Sequence, residues 1–263
     1  MNTRPRKRFG QHFLRDVGVI QNIVDHARIS AQEVLCEIGP GRGALSDELA
    51  KKENALHLIE IDRDLVPLLR KRYKNNAQIT VHEQDALTLD LAALKASTPL
   101  VLLGNLPYNI STALMIHLSS QRGRIERMLF MVQKEVAERL TAAPGGKDYG
   151  RLSVMMARLF EMDLAFHVGP EAFNPPPKVW SSVVAFMPRS TPLGDPVNDE
   201  SFEYLVRQAF SQRRKTLRNT LKGLCSEGLI VEAGIDPGVR PERVTVEEYT
   251  RLVSLTERSG FGK

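Results

Sequence analysis

The chain has 263 residues, of which 42% are apolar and 25% charged, a composition that supplies a full hydrophobic core and excludes a disordered chain. No apolar run approaches the roughly 20 residues of a membrane-spanning helix, and the basic N-terminal segment lacks the apolar stretch of a signal peptide, so we expect a cytoplasmic protein without a membrane partner. The net charge of +5 is too small to identify a partner by itself.

From about residue 33 to residue 186, short apolar runs alternate with amphipathic stretches. This alternation is typical of a doubly wound α/β protein, in which helices cover both faces of a parallel sheet. The predicted strands are Val34–Ile38, Ala55–Ile61, Ile79–His82, Leu100–Leu103 and Met128–Val132, followed by a pair at Ala165–Val168 and Ser182–Met187. The predicted helices between or after them are Ala44–Lys52, Leu65–Tyr73, Thr112–Ser119 and Lys134–Leu140.

The composition changes after Met187. The segment Pro188–Pro196 contains three prolines and a glycine, which is typical of a linker. Apolar residues then recur at helical spacing to the end of the sequence. We therefore predict a catalytic domain over residues 1–187 and a small all-helical domain over residues 197–263.

A glycine-rich loop directly follows the first predicted strand. Gly39, Gly41 and Gly43 allow a tight turn and a close approach of the backbone to a ligand. Glu60 ends the second strand, where a carboxylate can accept hydrogen bonds from ribose hydroxyls. The spacing is G-x-G-x-G rather than the G-x-G-x-x-G of dinucleotide sites, and Pro40 removes an amide that a phosphate would use. The pattern resembles the first motif of S-adenosylmethionine-dependent methyltransferases.

Asp85 follows the third predicted strand. In the methyltransferase resemblance this position holds a carboxylate that accepts from the adenine amine. The alternative for Asp85 alone is a helix N-cap or a turn residue.

The sequence Asn105-Leu106-Pro107-Tyr108 follows the fourth strand, at the edge where the glycine loop also lies. The exocyclic amine of a purine is a poor nucleophile because its lone pair is delocalised into the ring. The Asn105 side-chain carbonyl and the Leu106 backbone carbonyl can hold both amine hydrogens and direct the lone pair at a methyl group. Pro107 stiffens the loop, and Tyr108 offers a flat face to a base that has left its stack. These residues predict methyl transfer to such an amine.

Phe173 lies next to the rigid run Pro175–Pro177. We predict that it stacks on the other face of the flipped base. The alternative is a hydrophobic plug at the end of the strand pair.

Two segments of the chain contain basic residues and no acid, which predicts a polyanionic partner; a simple solvated surface is the alternative. They are residues 1–15, with Arg4, Arg6, Lys7, Arg8 and Arg15, and residues 207–222, with Arg207, Arg213, Arg214, Lys215, Arg218 and Lys222. Arg213, Arg214, Lys215 and Arg218 recur at helical spacing. The cysteines, Cys36 and Cys225, fit a reducing compartment, and no Cys or His spacing predicts a metal site.

Taken together, the motifs resemble the ribosomal RNA adenine dimethyltransferase family, in particular its bacterial small-subunit members, nearly end to end. They are Arg6–Leu14, Glu37–Gly43, Asn105–Ser111, Gln133–Glu135, Tyr149–Ser153, Phe173–Val179, Gln212–Asn219, Ile235–Pro237 and Arg240–Glu242.

The resemblance implies a Rossmann-like fold and S-adenosylmethionine as cofactor. It implies dimethylation of two adjacent adenines near the 3′ end of 16S rRNA, in the small (30S) subunit or its precursor, with a role in subunit biogenesis. His12 and Leu14 join the cofactor site by the same resemblance, although the family usually has asparagine at the position of His12. Arg6, Lys7 and Arg8 and the later basic run would contact rRNA phosphates. A monomer is the default expectation.

Other interpretations remain open. A large-subunit rRNA adenine methyltransferase of the antibiotic-resistance type shares the cofactor and N-L-P-Y motifs, but Gln212–Asn219 and the helical C-terminal region favour the small-subunit enzymes. A DNA adenine methyltransferase would need a separate target-recognition domain, and a dehydrogenase would need the dinucleotide glycine spacing. A subunit assembly factor whose main role is binding would carry the same motifs.

Overall fold

A computed structural model describes residues 12–212 and 214–260, and the chain divides into two units. The first comprises the described residues of Met1–Ala137 together with Met162–Pro188, and the second comprises Glu138–Glu161 and the described residues of Arg189–Lys263. Each unit has its own buried apolar cluster.

The first half of the chain follows the predicted alternation of strands and helices. Strand bounds differ from the prediction by up to three residues at each end, because the terminal residues of these strands are more polar than their centres. In chain order the elements are β1 (Phe13–Leu14), α1 (Val17–Ala27), β2 (Val34–Ile38), α2 (Ala44–Ala50), β3 (Leu56–Glu60), α3 (Val66–Arg72), β4 (Ile79–Glu83), β5 (Leu100–Asn105), α4 (Ser111–Ser119) and β6 (Ile125–Gln133).

The second half adds two long strands and the helices of the second unit. In chain order they are α5 (Lys134–Leu140), α6 (Arg151–Leu159), β7 (Phe160–Val168), β8 (Phe173–Asn174), β9 (Ser181–Pro188), α7 (Asp199–Ala209), α8 (Leu217–Thr220), α9 (Glu227–Glu232) and α10 (Val246–Arg258).

The main sheet has seven strands in the order β4-β3-β2-β5-β6-β9-β7. Strands β2 to β6 pair in parallel, and β9 pairs antiparallel with β6. The chain moves outward from β2 to β3 and β4, then returns to the other side of β2 to form β5. Ligands of open α/β sheets bind at such a switch point, beyond the carboxyl ends of the strands. The predicted Rossmann-like fold is thereby confirmed.

Most side chains of the central strands are apolar, because strands of a parallel sheet are covered on both faces. Val101 and Leu103 of β5 belong to a cluster with Ile23 of α1 and Leu49 of α2. Side chains alternate along a strand, so Leu102 faces the opposite side, where α4 buries its own leucines.

Helix α1 was not among the predicted elements, although its sequence carries a clear signal. The side chain of Asp16 caps the helix by accepting from the Val19 amide, and Ile20, Ile23, Val24 and Ala27 are buried at helical spacing. The two-residue strands β1 and β8, which pair with each other, are too short for periodicity to reveal.

The second unit is largely helical, and it begins earlier in the chain than the predicted boundary. We expected residues 138–161 in the catalytic domain. The contacts place them in the second unit instead, because Tyr149 and Val154 share a buried cluster with Phe202 and Tyr249. The hydroxyl of Tyr149 also donates to the carbonyl of Val244.

The predicted linker, except Pro188 at the end of β9, is likewise part of the second unit. The amides of Arg189 and Leu193 donate to the carbonyls of Leu159 and Arg158, at distances of 2.9 and 2.8 Å. This proline-containing segment is therefore hydrogen-bonded to the end of α6 and is not a free linker.

Candidate functional site

A cavity of about 320 Å³ opens at the carboxyl edge of the sheet in the first unit. This volume lies at the lower end of the roughly 300–1,000 Å³ of small-molecule sites. Most predicted site residues line it: His12, Leu14, Gly39, Gly41, Glu60, Asp85, Asn105, Leu106, Pro107 and Tyr108.

The glycine loop forms one wall of the cavity. Gly39 and Gly41 have φ angles of 69° and 58°, in the left-handed region that favours glycine. A Cβ at Gly41 would lie 3.0 Å from the Phe13 ring, so there is little room for a larger residue at this position. The Gly41 amide donates to Glu60 Oε2 at 3.1 Å, which fixes the loop to the end of β3.

Glu60 is almost fully buried at the end of β3. Its Oε1 accepts from the Asp62 amide at 2.9 Å, so both oxygens accept from backbone amides. Burial raises the pKa of this carboxyl group. An acid held in this way can accept hydrogen bonds from the hydroxyls of a ribose.

Glu37, which the sequence analysis did not single out, also lines the cavity. It is 2% exposed and accepts from the Ser46 hydroxyl at 2.5 Å. Burial raises its pKa to about 8, and repulsion by Glu60 and Asp47 acts in the same direction. Its position in a buried strand, two residues before Gly39, was the available signal, since an acid is rarely placed there without a role.

Asp85 caps a turn, which is one of its two predicted roles, and acceptance from an adenine amine stays a prediction. Its Oδ1 accepts from the Leu87 amide at 2.9 Å and caps a short 3-10 turn, Ala86–Thr88. The residue also lines the cavity, so its second oxygen remains able to accept from a ligand amine.

Asn105 ends β5, and its orientation is fixed by a hydrogen bond. Its side-chain Nδ2 donates to the backbone carbonyl of His12 at 2.9 Å, which leaves Oδ1 as the acceptor toward a substrate. Gly104 allows β5 to approach β2 closely, because a Cβ there would lie 2.5 Å from the Ile38 carbonyl oxygen. The Leu106 amide donates to the Met131 carbonyl at 3.0 Å, which anchors the loop.

His12 connects three parts of this site. Its Nδ1 lies 2.8 Å from the Pro175 carbonyl, which can only accept, so Nδ1 carries the hydrogen. Its ring stacks on Tyr108 with centroids 5.7 Å apart and planes at 27°. Its backbone carbonyl receives the Asn105 amide.

Tyr108 is held at both ends of its side chain. The ring rests on His12, and the hydroxyl lies 2.7 Å from the Oγ of Ser181, the first residue of β9. Burial raises the pKa of this hydroxyl, so it stays protonated at neutral pH. The ring is thus a fixed wall of the cavity.

Two predicted site residues do not line the cavity. Phe173 is 1% exposed and packs in the same apolar cluster as Leu14, its partner in the pairing of β1 with β8. This burial agrees with the alternative of a hydrophobic plug, and stacking on a flipped base stays a prediction. Gly43 precedes α2, and a Cβ there would lie 3.0 Å from the Tyr73 hydroxyl.

The predicted basic residues are only partly described. Arg6, Lys7, Arg8 and Arg213 lie outside the described residues, as does Arg4. Arg214 and Lys215 are exposed in a turn before α8, because the helix begins only at Leu217; the predicted shared helical spacing with Arg218 is therefore wrong. Arg218 is half exposed and lies 3.9 Å from Glu227.

Within residues 12–212 and 214–260, no group of three or more His, Cys, Asp or Glu side chains could hold a metal ion. Both cysteines are free thiols. Over the same residues, no helix is both long and apolar enough to cross a membrane.

The fold and the cavity define a Rossmann-like methyltransferase, and solved structures agree. A dimethyladenosine transferase from Plasmodium falciparum superposes with a TM-score of 0.79 at 26% identity, over 95% of this chain and 99% of that one. The 23S rRNA methyltransferase ErmE superposes with a TM-score of 0.70 at 28% identity, over 93% of this chain and 99% of that one.

The sequence comparison identifies the family. The profile of the family described as ribosomal RNA adenine dimethylase matches residues 2–258, and the chain belongs to this family. Ribosomal RNA small subunit methyltransferase A of Chromobacterium violaceum is 47% identical over 256 residues, 97% of each chain. The protein of the same name from Alcanivorax borkumensis is 46% identical over 254 residues, 96% of this chain and 90% of that one.

Proposed function

We propose that this protein dimethylates the exocyclic amines of two adjacent adenines near the 3′ end of 16S rRNA in the small ribosomal subunit or its precursor. The observation that carries the proposal is the fixed orientation of Asn105, whose Nδ2 is held by the His12 carbonyl while Oδ1 is left as the acceptor. The names of the relatives at 46–47% identity support the small subunit as the substrate. A ribosomal substrate in turn supports a cytoplasmic location.

The cavity fits S-adenosylmethionine as the methyl donor. Glu60 would accept from the ribose hydroxyls, Asp85 from the adenine amine, and the positive-φ glycines leave room for the backbone to approach. Glu37 supplies a buried acid beside these groups, which suits a ligand that carries positive charge. When bound, the cofactor supplies an electrophilic methyl group.

The residues of the chain then position the amine. Asn105 Oδ1 and the Leu106 carbonyl would accept its two hydrogens, so that the nitrogen lone pair points away from the purine ring and at the methyl group. Tyr108 presents a fixed aromatic face to the extruded base. The methylated amine is acidic enough to lose a proton to water, so positioning provides most of the rate enhancement.

Exposed basic residues would hold the rRNA backbone without reading its sequence. Arg214, Lys215 and Arg218 are exposed in the second unit. Replacing Arg214 and Lys215 together by Glu should weaken binding to small subunits and leave cofactor binding unchanged. Equal subunit binding by this variant would remove the proposed role of the basic turn.

The test of the activity uses isolated small and large subunits that lack the modification, incubated with labelled S-adenosylmethionine. We expect four methyl groups per small subunit, two on each of two adjacent adenines by mass spectrometry of the rRNA. The Asn105→Ala variant should transfer none, whereas Asn75→Ala, a change at an exposed asparagine on the surface, should behave as the wild type.

A large-subunit substrate is the second candidate, favoured by the likeness to the 23S rRNA methyltransferase ErmE. Methyl transfer to large subunits but not to small ones would establish it. Absence of transfer to either, with retained binding to immature small subunits, would favour a role limited to assembly.

A further inference from the structure

The segment between the proline run and β9 exposes two adjacent apolar side chains. Trp180, the single tryptophan of the chain, is 52% exposed, and Val179 is 43% exposed. Large exposed apolar side chains that lie together mark interaction sites more often than solitary ones. None of the roles described above uses Trp180.

The backbone of Trp180 is held firmly although its side chain is exposed. Its carbonyl accepts from the Lys134 amide at 2.9 Å. The next residue, Ser181, is fully buried and its Oγ lies 2.7 Å from the Tyr108 hydroxyl. The indole is therefore presented by a fixed strand entry, one residue from a contact of the cavity wall.

The same segment meets the cavity at its other end. The Pro175 carbonyl accepts from the ring of His12, which lines the cavity. Residues 175–181 thus connect a contact of His12 with a contact of Tyr108, and this segment, which includes Trp180, is here called the rim.

Two lysines lie near Trp180 along the backbone, and Glu135 follows one of them. Lys178 and Lys134 are both exposed, the first two residues before Trp180 and the second bonded to it through the backbone. A flat aromatic surface beside lysines is the combination with which proteins bind single-stranded nucleic acid: bases stack on the ring and cations hold the phosphates.

We propose that Trp180 stacks on an unpaired rRNA base next to the adenine that enters the cavity. An adenine that leaves its stack exposes the face of its neighbour, and the exposed indole at the rim gives that neighbour a new partner. The inference rests on the proposed function, since it assumes a flipped adenine in the cavity. It assigns Trp180 a part in binding the substrate rather than in the transfer of the methyl group.

Because the chain has one tryptophan, its fluorescence reports this contact directly. A short single-stranded RNA with two adjacent adenines should quench the emission saturably, and a double-stranded RNA of the same length should not. In the Trp180→Ala variant, the KM for small subunits should rise about tenfold, the order expected for one lost stacked base, with kcat within about twofold. Trp180→Phe should recover most of the loss, and Leu68→Ala, at another exposed apolar residue of the first unit, should change neither parameter.

The outcomes separate this inference from the proposed function. If the wild type methylates small subunits but Trp180→Ala has an unchanged KM, Trp180 does not contact the substrate and the inference is wrong. If light scattering shows a dimer that Trp180→Ala abolishes, the patch is a contact between copies of this chain, which also overturns it. Failure of the wild type to methylate any rRNA would refute the proposed function itself.

Discussion

Strand β2 has a glutamate near each end, and the two carboxyl groups are held in opposite ways. At its beginning, the oxygens of Glu33 accept from two guanidinium nitrogens of Arg127 at 2.6 and 2.7 Å. This bidentate pair lowers the pKa of Glu33 to about 2. Near its end, Glu37 has a hydroxyl as its hydrogen-bond partner among the described residues, and burial raises its pKa to about 8.

The difference separates the edge of the sheet that stabilises the fold from the edge that serves a ligand. Arg127 also donates to the carbonyls of Ala27 and Arg28, so it joins the end of α1 to the sheet and is satisfied within the protein. The carboxyl edge instead keeps Glu37 and Glu60 buried beside a cavity. A positively charged ligand there would favour the ionised form of these carboxyl groups.

The strongest test of this separation is the loss of activity at the carboxyl edge. Asn105→Ala should lower methyl transfer by at least about 10²–10³-fold, the usual cost of losing one oriented polar group at a reaction centre. The free energy of unfolding should change by no more than about 1 kcal/mol, because the side chain is only partly buried. Single-turnover transfer and urea unfolding measure the two effects; a large loss of stability would contradict the distinction.

Glu37 should make the stability of the protein depend on pH. Its folded pKa of about 8 exceeds the ordinary 4.5, so the folded state binds the extra proton and stability falls as the pH rises between these values. The slope expected from one such group is about 1.4 kcal/mol per pH unit. Glu37→Gln removes this group, so the variant should become progressively more stable than the wild type from pH 5 to pH 8. If the difference in the free energy of unfolding between variant and wild type is the same at pH 5 and pH 8, Glu37 is already ionised at pH 5.

At the opposite edge, the Glu33–Arg127 pair should affect stability and not chemistry. Arg127→Met should cost about 2 kcal/mol, less than the roughly 3–5 kcal/mol of a fully buried pair, because both side chains retain some exposure. The Glu33→Gln, Arg127→Met double variant should regain part of that loss, since no charge is left unpaired. The measurement is urea unfolding at pH 7, and a reduced kcat in fully folded variant would refute the separation of the edges.

The smallest expected effect is a proton released when the cofactor binds. At pH 7 Glu37 is mostly protonated, and a nearby positive charge would lower its pKa, so binding of S-adenosylmethionine should release up to about one proton. Calorimetry in two buffers with different ionisation enthalpies measures this number. Glu37→Gln should bind with less proton release, and an unchanged value in that variant would assign the proton to another group.

Local patterns predicted the parallel sheet and most of the cavity. Gly39 follows β2, Glu60 and Asn105 are the last residues of β3 and β5, and the topology of such sheets brings strand ends to one edge. The burial of Phe173 could not be predicted from the sequence. It depends on the pairing of β8 with β1, and no local pattern encodes that pairing. Glu37 did carry a local signal, because it is an acid among the apolar residues of a buried strand.

The domain boundary shows the same limit. In the sequence, residues 138–161 lie between segments that form strands of the sheet. This position predicts that they belong to the same domain as the sheet. Only the packing of Tyr149 and Val154 against helices much later in the chain reveals their unit.

The hydrogen bond between His12 and Pro175 joins residues 163 positions apart. During synthesis on a ribosome, the beginning of the chain must wait for the β8 segment to emerge before β1 can pair with it. Contacts of such long sequence separation form late because closing a long loop costs entropy. A nascent chain that ends before residue 173 would therefore contain the glycine loop and Asn105 without a closed cavity, and the protein acquires its ligand site only as its first unit is completed.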